Sequence, residues 1–388
     1  AGGPYKTWQV NLAFKLLGNL AQKDVPLNYN CLSPNEALQN PLISSLAQRD
    51  HLVSIASFDE YRLDWPERLC MDAVLDAERM GAVIRNYTRA NLRSNENGVW
   101  EINLVDELIP NKTANVYAKV VLNMAGVWID KITKAAEARA PRKVFGTKGA
   151  HIVVKLPPEC KDFGITTTNI NEEPFYCVPW HGLHYIGPTE TPFYGDFDNV
   201  FTDQSDVDFL LKQTQAILPG LNIDGTDIVS TWAGVRPLTY DPAFPKGKRS
   251  RELHDLSSIG LDHVFAMTAG PVMTHRSAGR EITKKLKSIL KPSGSTQQPS
   301  FETQPLFENT NTAPLLKDDP TIRLEHLKKC VTEQHAQTLS DVLYRRTGLG
   351  WRHSLTDPEI ELAAQAISSS LGWSEIERAK NIELFKGE

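Results

Sequence analysis

Residues that could bind an anionic ligand lie in a turn between a predicted buried strand and a predicted helix. The apolar run Val264–Met267 predicts the strand, and it leads directly into Ala269-Gly270-Pro271. Gly270 lets the backbone approach a ligand closely, and Pro271 fits the first position of a helix, where a missing N–H costs nothing. Three free N–H groups would then point beyond the carboxyl end of the strand, those of Val272, Met273 and Thr274. Because a helix N-terminus has roughly half a positive charge, this turn suits a phosphate or an anionic reduced flavin; the alternative is a tightly packed turn without a ligand.

A second candidate is an arginine at the end of an apolar strand. Arg236 follows Gly234-Val235 and precedes Pro237. A buried guanidinium needs an anionic partner, because an unpaired charge in the interior is strongly destabilising. That partner would be a substrate phosphate or carboxylate held by two parallel hydrogen bonds, or else a structural Asp or Glu. The basic stretch at 246–251 is typical of a solvated loop, from which Arg251 could lean into a site.

Composition and motif searches exclude several other classes. A formal net charge of -5 over 388 residues argues against a broad nucleic-acid-binding face. The dinucleotide-binding, P-loop, nucleophile-elbow and zinc-protease motifs G-x-G-x-x-G, G-x-x-x-x-G-K-[ST], G-x-S-x-G and H-E-x-x-H are absent from these residues. His181 and His184 are three residues apart, but their strand-rich context does not favour a metal site. Five scattered cysteines without a C-x-x-C pair indicate reduced thiols in a cytoplasmic protein, and no apolar run is long enough to span a bilayer.

The elements that must position these residues mix strand and helix patterns. Antiparallel signals with interspersed helices predict a mixed α/β or α+β core rather than a clean doubly wound sheet. Asn97-Gly98 between two strand-like runs predicts a hairpin, and Val116–Leu122 predicts a buried strand. Helices are predicted from Pro66 to just before Gly81 and over 206–218. Further strands are predicted at 82–84, 152–154, 175–178, 183–186 and 228–232.

The C-terminal part of the chain differs from the rest in composition. Residues 291–320 are rich in Pro, Ser, Thr, Gln and Asn, which predicts a linker or a long surface loop. Beyond them, 321–345 and 357–385 show apolar residues at helical spacing. We therefore predict a small all-helical unit at the C-terminal end.

Several blocks of sequence, in a consistent order along nearly all 388 residues, are similar to one family. Together they resemble the FAD-dependent glycerol-3-phosphate dehydrogenase/oxidase group of flavoenzymes. The blocks are Asn123–Trp128, Lys148–Val154, Pro179-Trp180 with Ile186–Thr189, Ala233–Leu238 with Arg276, and the helical tail Ala336–Thr347.

The resemblance implies a partial FAD-binding, Rossmann-like domain and an antiparallel-sheet substrate domain, interleaved over 1–290. It also implies a linker at 291–320 and a helical C-terminal domain at 321–388. FAD is the implied cofactor, with Ala125 and Gly126 passing close to its nucleotide side. The segment along the flavin ring and ribityl chain would comprise Gly270, Pro271, Val272, Met273 and Thr274.

The implied reaction is oxidation of a secondary alcohol in glycerol 3-phosphate or a related phosphorylated polyol. A hydride would pass to flavin N5 and a base would take the hydroxyl proton, with quinone or oxygen re-oxidising the flavin. Arg236 would grip the substrate over the flavin, and Arg251 would bind its phosphate. His151 and His275 are the candidate bases, and the sequence does not decide between a catalytic and a neutral packing role for them.

Two departures from the family pattern leave alternatives open. The opening dinucleotide motif of the family is missing, which predicts a fragment or truncated protein that binds FAD weakly by itself. Pro271 replaces the lysine of the family's "G-G-K" turn, so one cation expected near the substrate is lost. The alternatives are a non-catalytic binding or assembly fragment, and a flavin oxidase acting on an amino or hydroxy acid. Also left open are a homodimer and a cytoplasmic location peripheral to the inner membrane.

Overall fold

The computed structural model describes residues 6–20, 25–63, 65–244, 246–293, 307 and 310–387. The chain divides into two compact units. The first comprises Ala1–Arg62, Ala90–Leu104 and Thr113–Lys291, and the second comprises Leu63–Arg89, Val105–Lys112 and Pro292–Glu388. Much of the predicted 291–320 linker lies outside the described residues, and the predicted bounds of the functional domains stay a prediction.

Strands and helices alternate along the chain, and the predicted mixed α/β class is confirmed. In chain order the strands are β1 (Asn30–Leu32), β2 (Ile55–Ser57), β3 (Thr88–Glu96), β4 (Val99–Asp106), β5 (Thr113–Ala118), β6 (Val121–Asn123), β7 (Val144–Val154), β8 (Ile165–Thr168), β9 (Pro174–Trp180), β10 (Leu183–Gly187), β11 (Thr191–Pro192), β12 (Ile228–Thr239), β13 (Glu252–Asp255) and β14 (Val264–Thr268). The α-helices are α1 (Thr7–Leu20), α2 (Pro34–Ala37), α3 (Pro41–Ser44), α4 (Pro66–Arg79), α5 (Ile129–Ala136), α6 (Gln204–Ile217), α7 (His275–Leu290), α8 (Leu324–Thr332), α9 (Leu349–Arg352), α10 (Asp357–Leu371) and α11 (Glu375–Lys386).

An antiparallel six-stranded sheet forms the largest part of the first unit. Strands β8, β9, β10 and β7 follow one another in this order, β11 pairs with the same edge of β7 as β10, and β12 pairs with the opposite edge of β7. Strand β7 is buried along almost its whole length, because α6 and α3 contribute Leu210 and Leu42 to the core that contains Ile152 and Val154. The rigid, central position of β7 makes it a suitable support for a site.

A smaller sheet in the same unit has the order β13-β14-β6. Strands β14 and β6 are parallel, with Phe265 opposite Leu122 and Ala266 opposite Asn123. The apolar side chains of Val264 and Ala266 pack with Ile129 of α5. Because parallel strands end at the same edge of a sheet, the segments that follow β6 and β14 leave from one edge.

Two of the predicted strands are wrong, and each error has a local cause. Residues 82–84 form no strand, and Val83 is 81% exposed just after Gly81, whose φ is +98°. The predicted single strand Val116–Leu122 is divided, because β5 belongs to the β3-β4-β5 sheet whereas β6 pairs with β14. Val116 is therefore exposed rather than buried. By contrast, the hairpin at Asn97-Gly98 is confirmed by β3 and β4.

The second unit is mostly helical and has a core of its own. Helices α8, α10 and α11 surround a π-helical turn at Asp341–Arg346, as the apolar periodicity beyond residue 320 predicts. Leu327, Leu343, Ala364 and Phe385 pack together in this core. Within the part of the chain that the structure describes, no helix has the length and apolar character required to cross a membrane.

We expect Leu327→Ala to destabilise the helical unit by about 2–5 kcal/mol, because it leaves a cavity at a fully buried position. Urea unfolding followed by circular dichroism measures the change. Leu384→Ala is the matched control, since Leu384 is 57% exposed in the same unit and its truncation should change stability by less than about 0.5 kcal/mol. Equal losses of stability in both variants would contradict the assignment of Leu327 to the core.

Candidate functional site

Two turns predicted to approach a cofactor leave from the same edge of the β13-β14-β6 sheet. Ala125-Gly126 follows β6, and Ala269-Gly270-Pro271 follows β14. Gly126 and Gly270 have φ values of +59° and +87°, which a residue with a side chain rarely adopts. Sequence analysis found both turns separately, and the parallel pairing brings them together. Ligands of α/β proteins bind at such an edge, beyond the carboxyl ends of parallel strands.

The amides of the second turn are partly free. Val272–Thr274 forms a 3-10 turn, and the α-helix begins only at His275, later than predicted. The Thr274 N–H donates to Pro271 O at 2.9 Å, so it is not available to a ligand. Among the described residues, no hydrogen-bond acceptor meets the N–H of Val272 or Met273. Two of the three predicted donors therefore remain open.

A buried asparagine fixes the first turn. Asn123 is 6% exposed, and its Nδ2 donates to Ile129 O at 3.0 Å and to Thr133 Oγ1 at 3.1 Å. Its Oδ1 accepts from the N–H of Ala125 at 3.4 Å. These bonds connect the end of β6 to the start of α5 and hold the Ala125-Gly126 backbone in place.

The paired strands β7 and β12 present one continuous polar face in the first unit. Thr147 lies opposite Arg236, Gly149 opposite Gly234, and His151 opposite Trp232. Residues two apart in a strand share a face, so these six side-chain positions lie on the same side of the sheet. The glycine pair, Gly149 and Gly234, leaves space between the larger side chains. A Cβ at Gly149 would lie 2.6 Å from Nη2 and 2.7 Å from Cζ of Arg236, so the guanidinium lies directly over this glycine.

Three buried polar atoms on this face have no hydrogen-bond partner among the described residues. They are Arg236 Nη1, His151 Nδ1 and Thr147 Oγ1. Of the two partners left open for Arg236 by the sequence, a structural carboxylate is not found in the described part of the chain, where Arg236 is hydrogen-bonded to the side chain of Tyr176. Buried polar groups are nearly always satisfied, so an unsatisfied set on one face indicates a ligand that would complete it.

Aromatic rings surround the imidazole of His151. Its ring centroid lies 5.6 Å from that of Tyr185, 5.7 Å from Trp232 and 6.0 Å from Tyr176. Burial, together with the positive charge of Arg236, lowers the pKa of His151 to about 4. His151 is therefore neutral at physiological pH and able to accept a proton. Sequence analysis missed these aromatic residues and the glycine pair, although the alternation around Gly149 and Gly234 could have indicated a shared face.

The remaining predicted residues lie near the second turn. The N–H of Ala269 donates to Pro237 O at 2.9 Å, which connects the turn to the strand that carries Arg236. Arg251 packs beside Gly270, but its guanidinium bonds Glu281 Oε2 at 2.9 and 3.1 Å and Ser277 Oγ at 3.0 Å. His275 is exposed instead of packed, with Nδ1 2.8 Å from Val272 O.

His184, which the sequence analysis considered as a metal ligand, and Lys148, the first residue of one block of the family resemblance, both have structural partners. His184 is buried, and its Nε2 lies 3.1 Å from the carbonyl oxygens of Cys160 and Phe163. Lys148 is 8% exposed, and its Nζ lies 2.7 Å from both Asp203 Oδ2 and Asp206 Oδ2. Burial alone would lower the pKa of Lys148, but the two carboxylates more than offset it and the pKa is raised.

A family model described as FAD dependent oxidoreductase matches residues 20–284. Glycerol-3-phosphate dehydrogenase of Synechocystis sp. is 27% identical over 322 residues, which cover 78% of this chain and 58% of that protein. Aerobic glycerol-3-phosphate dehydrogenase of Staphylococcus haemolyticus is 28% identical over 295 residues, which cover 75% of this chain and 51% of that protein. The chain thus spans little more than half the length of these relatives.

A solved structure shows the same fold. The glycerol-3-phosphate dehydrogenase from Bacillus halodurans, complexed with FAD, superposes with a TM-score of 0.75 and 19% sequence identity. The superposition covers 92% of this chain and 78% of that chain. The architecture therefore agrees with the expected flavoenzyme fold, with a helical region at its C-terminal end.

We expect Lys148→Met to destabilise the protein by about 3–5 kcal/mol at neutral pH, because the buried Asp206 and its neighbour Asp203 lose their cation. The hydrogen bond from Lys148 is the main cause that lowers the pKa of Asp203, so this carboxylate stabilises the wild type above its unfolded pKa of about 3.9 and loses that effect as pH falls further. The difference in the free energy of unfolding between wild type and variant should therefore become smaller at acidic pH. Urea unfolding across this pH range is the measurement.

Lys131→Met serves as the matched control, since Lys131 is 76% exposed and lies 3.6 Å from Asp198. Its loss should change stability by less than about 1 kcal/mol at any pH. A pH-independent effect of Lys148→Met would contradict the assigned ion pairs.

Proposed function

Because the chain belongs to the FAD dependent oxidoreductase family, we propose that it oxidises glycerol 3-phosphate or a closely related polyol phosphate with FAD as its cofactor. Electrons would leave to a quinone or to oxygen. The glycerol-3-phosphate dehydrogenases among its relatives support this substrate class. The observation that carries the proposal is the polar face of β7 and β12, where Arg236 Nη1 and His151 Nδ1 are both buried and lack partners.

Arg236 is the residue we assign to the substrate anion. The guanidinium of an arginine has the charge opposite to that of a phosphate and offers donors in a planar fork that matches it. The open space above Gly234, where a Cβ would meet nothing within 4 Å, leaves room for the bound group beside Arg236. An anion bound there would accept a charge-assisted hydrogen bond from the buried Nη1 of Arg236.

His151 is the residue we assign to the hydroxyl proton. It lies on the same face as Arg236, two positions beyond Gly149, and is neutral when the enzyme works near physiological pH. A neutral imidazole with a free Nδ1 can accept a proton, and the adjacent anion of the substrate would stabilise the imidazolium that results. His275 is less suited, because it lies exposed at the start of α7 and not on the face that carries Arg236.

The two turns at the end of β6 and β14 fit FAD. The positive-φ glycines allow close backbone approach, and the open N–H groups of Val272 and Met273 can donate to flavin heteroatoms. When bound, FAD supplies the hydride acceptor that oxidation of an alcohol carbon requires. The turn residues hold and orient the ring, whereas Arg236 and His151 act on the substrate.

The proposal is tested by reconstitution with FAD and anaerobic addition of glycerol 3-phosphate. We expect a yellow protein whose flavin absorbance bleaches with this substrate, and we expect Arg236→Ala to retain the flavin but bleach at least about 1,000-fold more slowly. Arg139→Ala, which removes an exposed arginine of the same unit, is the control.

Two results would overturn the proposal. One is a protein that cannot be reconstituted with FAD, which would favour the binding or assembly alternative. The other is bleaching by amino or hydroxy acids while glycerol 3-phosphate has no effect. That second result would show that Arg236 binds a carboxylate, consistent with Pro271 in the place of the family's lysine.

We further expect Gly149→Ala to raise KM for the phosphorylated substrate about 10- to 100-fold, equivalent to losing one charge-assisted hydrogen bond of about 1.5–3 kcal/mol. The added methyl would occupy the position of the Arg236 guanidinium and displace it. Steady-state kinetics with a thermal unfolding check is the measurement. Gly225→Ala, where a Cβ meets nothing within 4 Å, should leave KM unchanged. An unaltered KM in Gly149→Ala would refute the assigned role of the contact between Gly149 and the Arg236 guanidinium.

A further inference from the structure

A chain of buried hydrogen bonds connects the end of β14 to the end of β12. Thr268 is fully buried, and its Oγ1 lies 2.9 Å from His254 Nε2 and 2.7 Å from Thr239 Oγ1. Thr239 is 3% exposed and donates to Ser250 O at 3.1 Å. Thr268 immediately precedes the turn that begins at Ala269, and Thr239 lies three residues beyond Arg236.

The direction of each hydrogen bond in this network follows from the acceptor at its end, the carbonyl oxygen of Ser250. A carbonyl oxygen can only accept, so the single hydroxyl proton of Thr239 goes to Ser250 O. Thr268 must then donate to Thr239, which leaves its own oxygen to accept from His254. The imidazole therefore holds a proton on Nε2. Its other nitrogen, Nδ1, lies 3.3 Å from Glu252 Oε1.

We propose that Thr268, Thr239 and His254 are positioning residues that fix the strand carrying Arg236 against the turn at 269–274. This inference rests on the proposed function, in which Arg236 and that turn bind the two reacting molecules. The three side chains belong to β14, β12 and β13, so one Thr268 hydroxyl joins three strands at the point where the turn begins. A small shift of Arg236 relative to the turn would be enough to impair the reaction.

The backbone beside this network needs external support. Ala269 has a φ of +53°, in the left-handed region that residues with a Cβ rarely adopt. Such a conformation persists only where surrounding contacts determine it. The bond from the Ala269 N–H to Pro237 O and the side-chain bonds of Thr268 are the contacts that do so here.

Hydrogen exchange of the Ala269 amide tests the proposal without cofactor or substrate. Thr268→Val replaces the hydroxyl with a methyl of similar volume, and we expect it to accelerate exchange at Ala269 about tenfold or more. Thr268→Ser restores the hydroxyl and should return exchange close to the wild-type rate. The Thr189 amide, bonded to Ala150 O at 3.1 Å away from the network, should not change in either variant. Unchanged exchange at Ala269 in Thr268→Val, or equal acceleration at Thr189, would overturn the proposal.

Nitrogen-15 NMR of the wild type provides a second test that needs no variant. The Nε2–H form of neutral His254 is expected, and the Nδ1–H form would overturn the assigned bond directions. The hydrogen-exchange and NMR measurements both test the proposal even if the proposed reaction is wrong.

In the FAD-loaded enzyme, Thr268→Val should raise KM for glycerol 3-phosphate about tenfold, and Thr268→Ser should restore the wild-type KM. A KM equal to that of the wild type in Thr268→Val would reject the positioning role.

Discussion

The guanidinium of Arg236 lying over Gly149 is the contact on which the proposed site depends. It exists only because β7 and β12 pair in one register, which places Arg236, the glycine pair and His151 on a single face. A slip of β12 by one residue would turn Arg236 and Gly234 to the opposite side of the sheet from Gly149 and His151. The length of this ladder, from Thr239 opposite Val144 to Ile228 opposite Val154, makes such a slip expensive.

The cationic side chains on the two faces of the sheet around β7 differ in their partners. Lys148 belongs to the face that packs on α6, where Ile152 and Val154 form the core and Asp203 and Asp206 neutralise the ammonium. Arg236 extends over the other face, where a carboxylate from the described chain is lacking. Leaving the buried Nη1 of one cation without a hydrogen-bond acceptor among the described residues, while the neighbouring cation has two carboxylates, is unfavourable for stability alone. The difference is explained if an exogenous anion completes the second face.

Local patterns predicted the parts of the site but not their assembly. The strand–turn–helix around Gly270 and the unusual setting of Arg236 were recognisable because Gly, Pro and Arg impose local requirements. Which strands pair is a non-local property, so the shared face of Gly149 and Gly234 and the joining of two turns by β6 and β14 were not predicted. The same reason explains the error at Val116–Leu122, where the chain changes sheets within an apolar run.

The ion pair of Arg251 is compatible with its proposed role as a ligand of the substrate phosphate. Its ion pair with Glu281 is partly exposed, with the two side chains 22% and 44% accessible, and pairs of this kind contribute only about 0–1 kcal/mol. Exchanging Glu281 for a phosphate oxygen would therefore cost little, whereas withdrawing Lys148 from its buried carboxylates would cost much more. In the proposed site, a doubly charged phosphate at Arg236 would require a second source of positive charge. Arg251, which packs beside Gly270, would be such a source after a change of its side-chain rotamer.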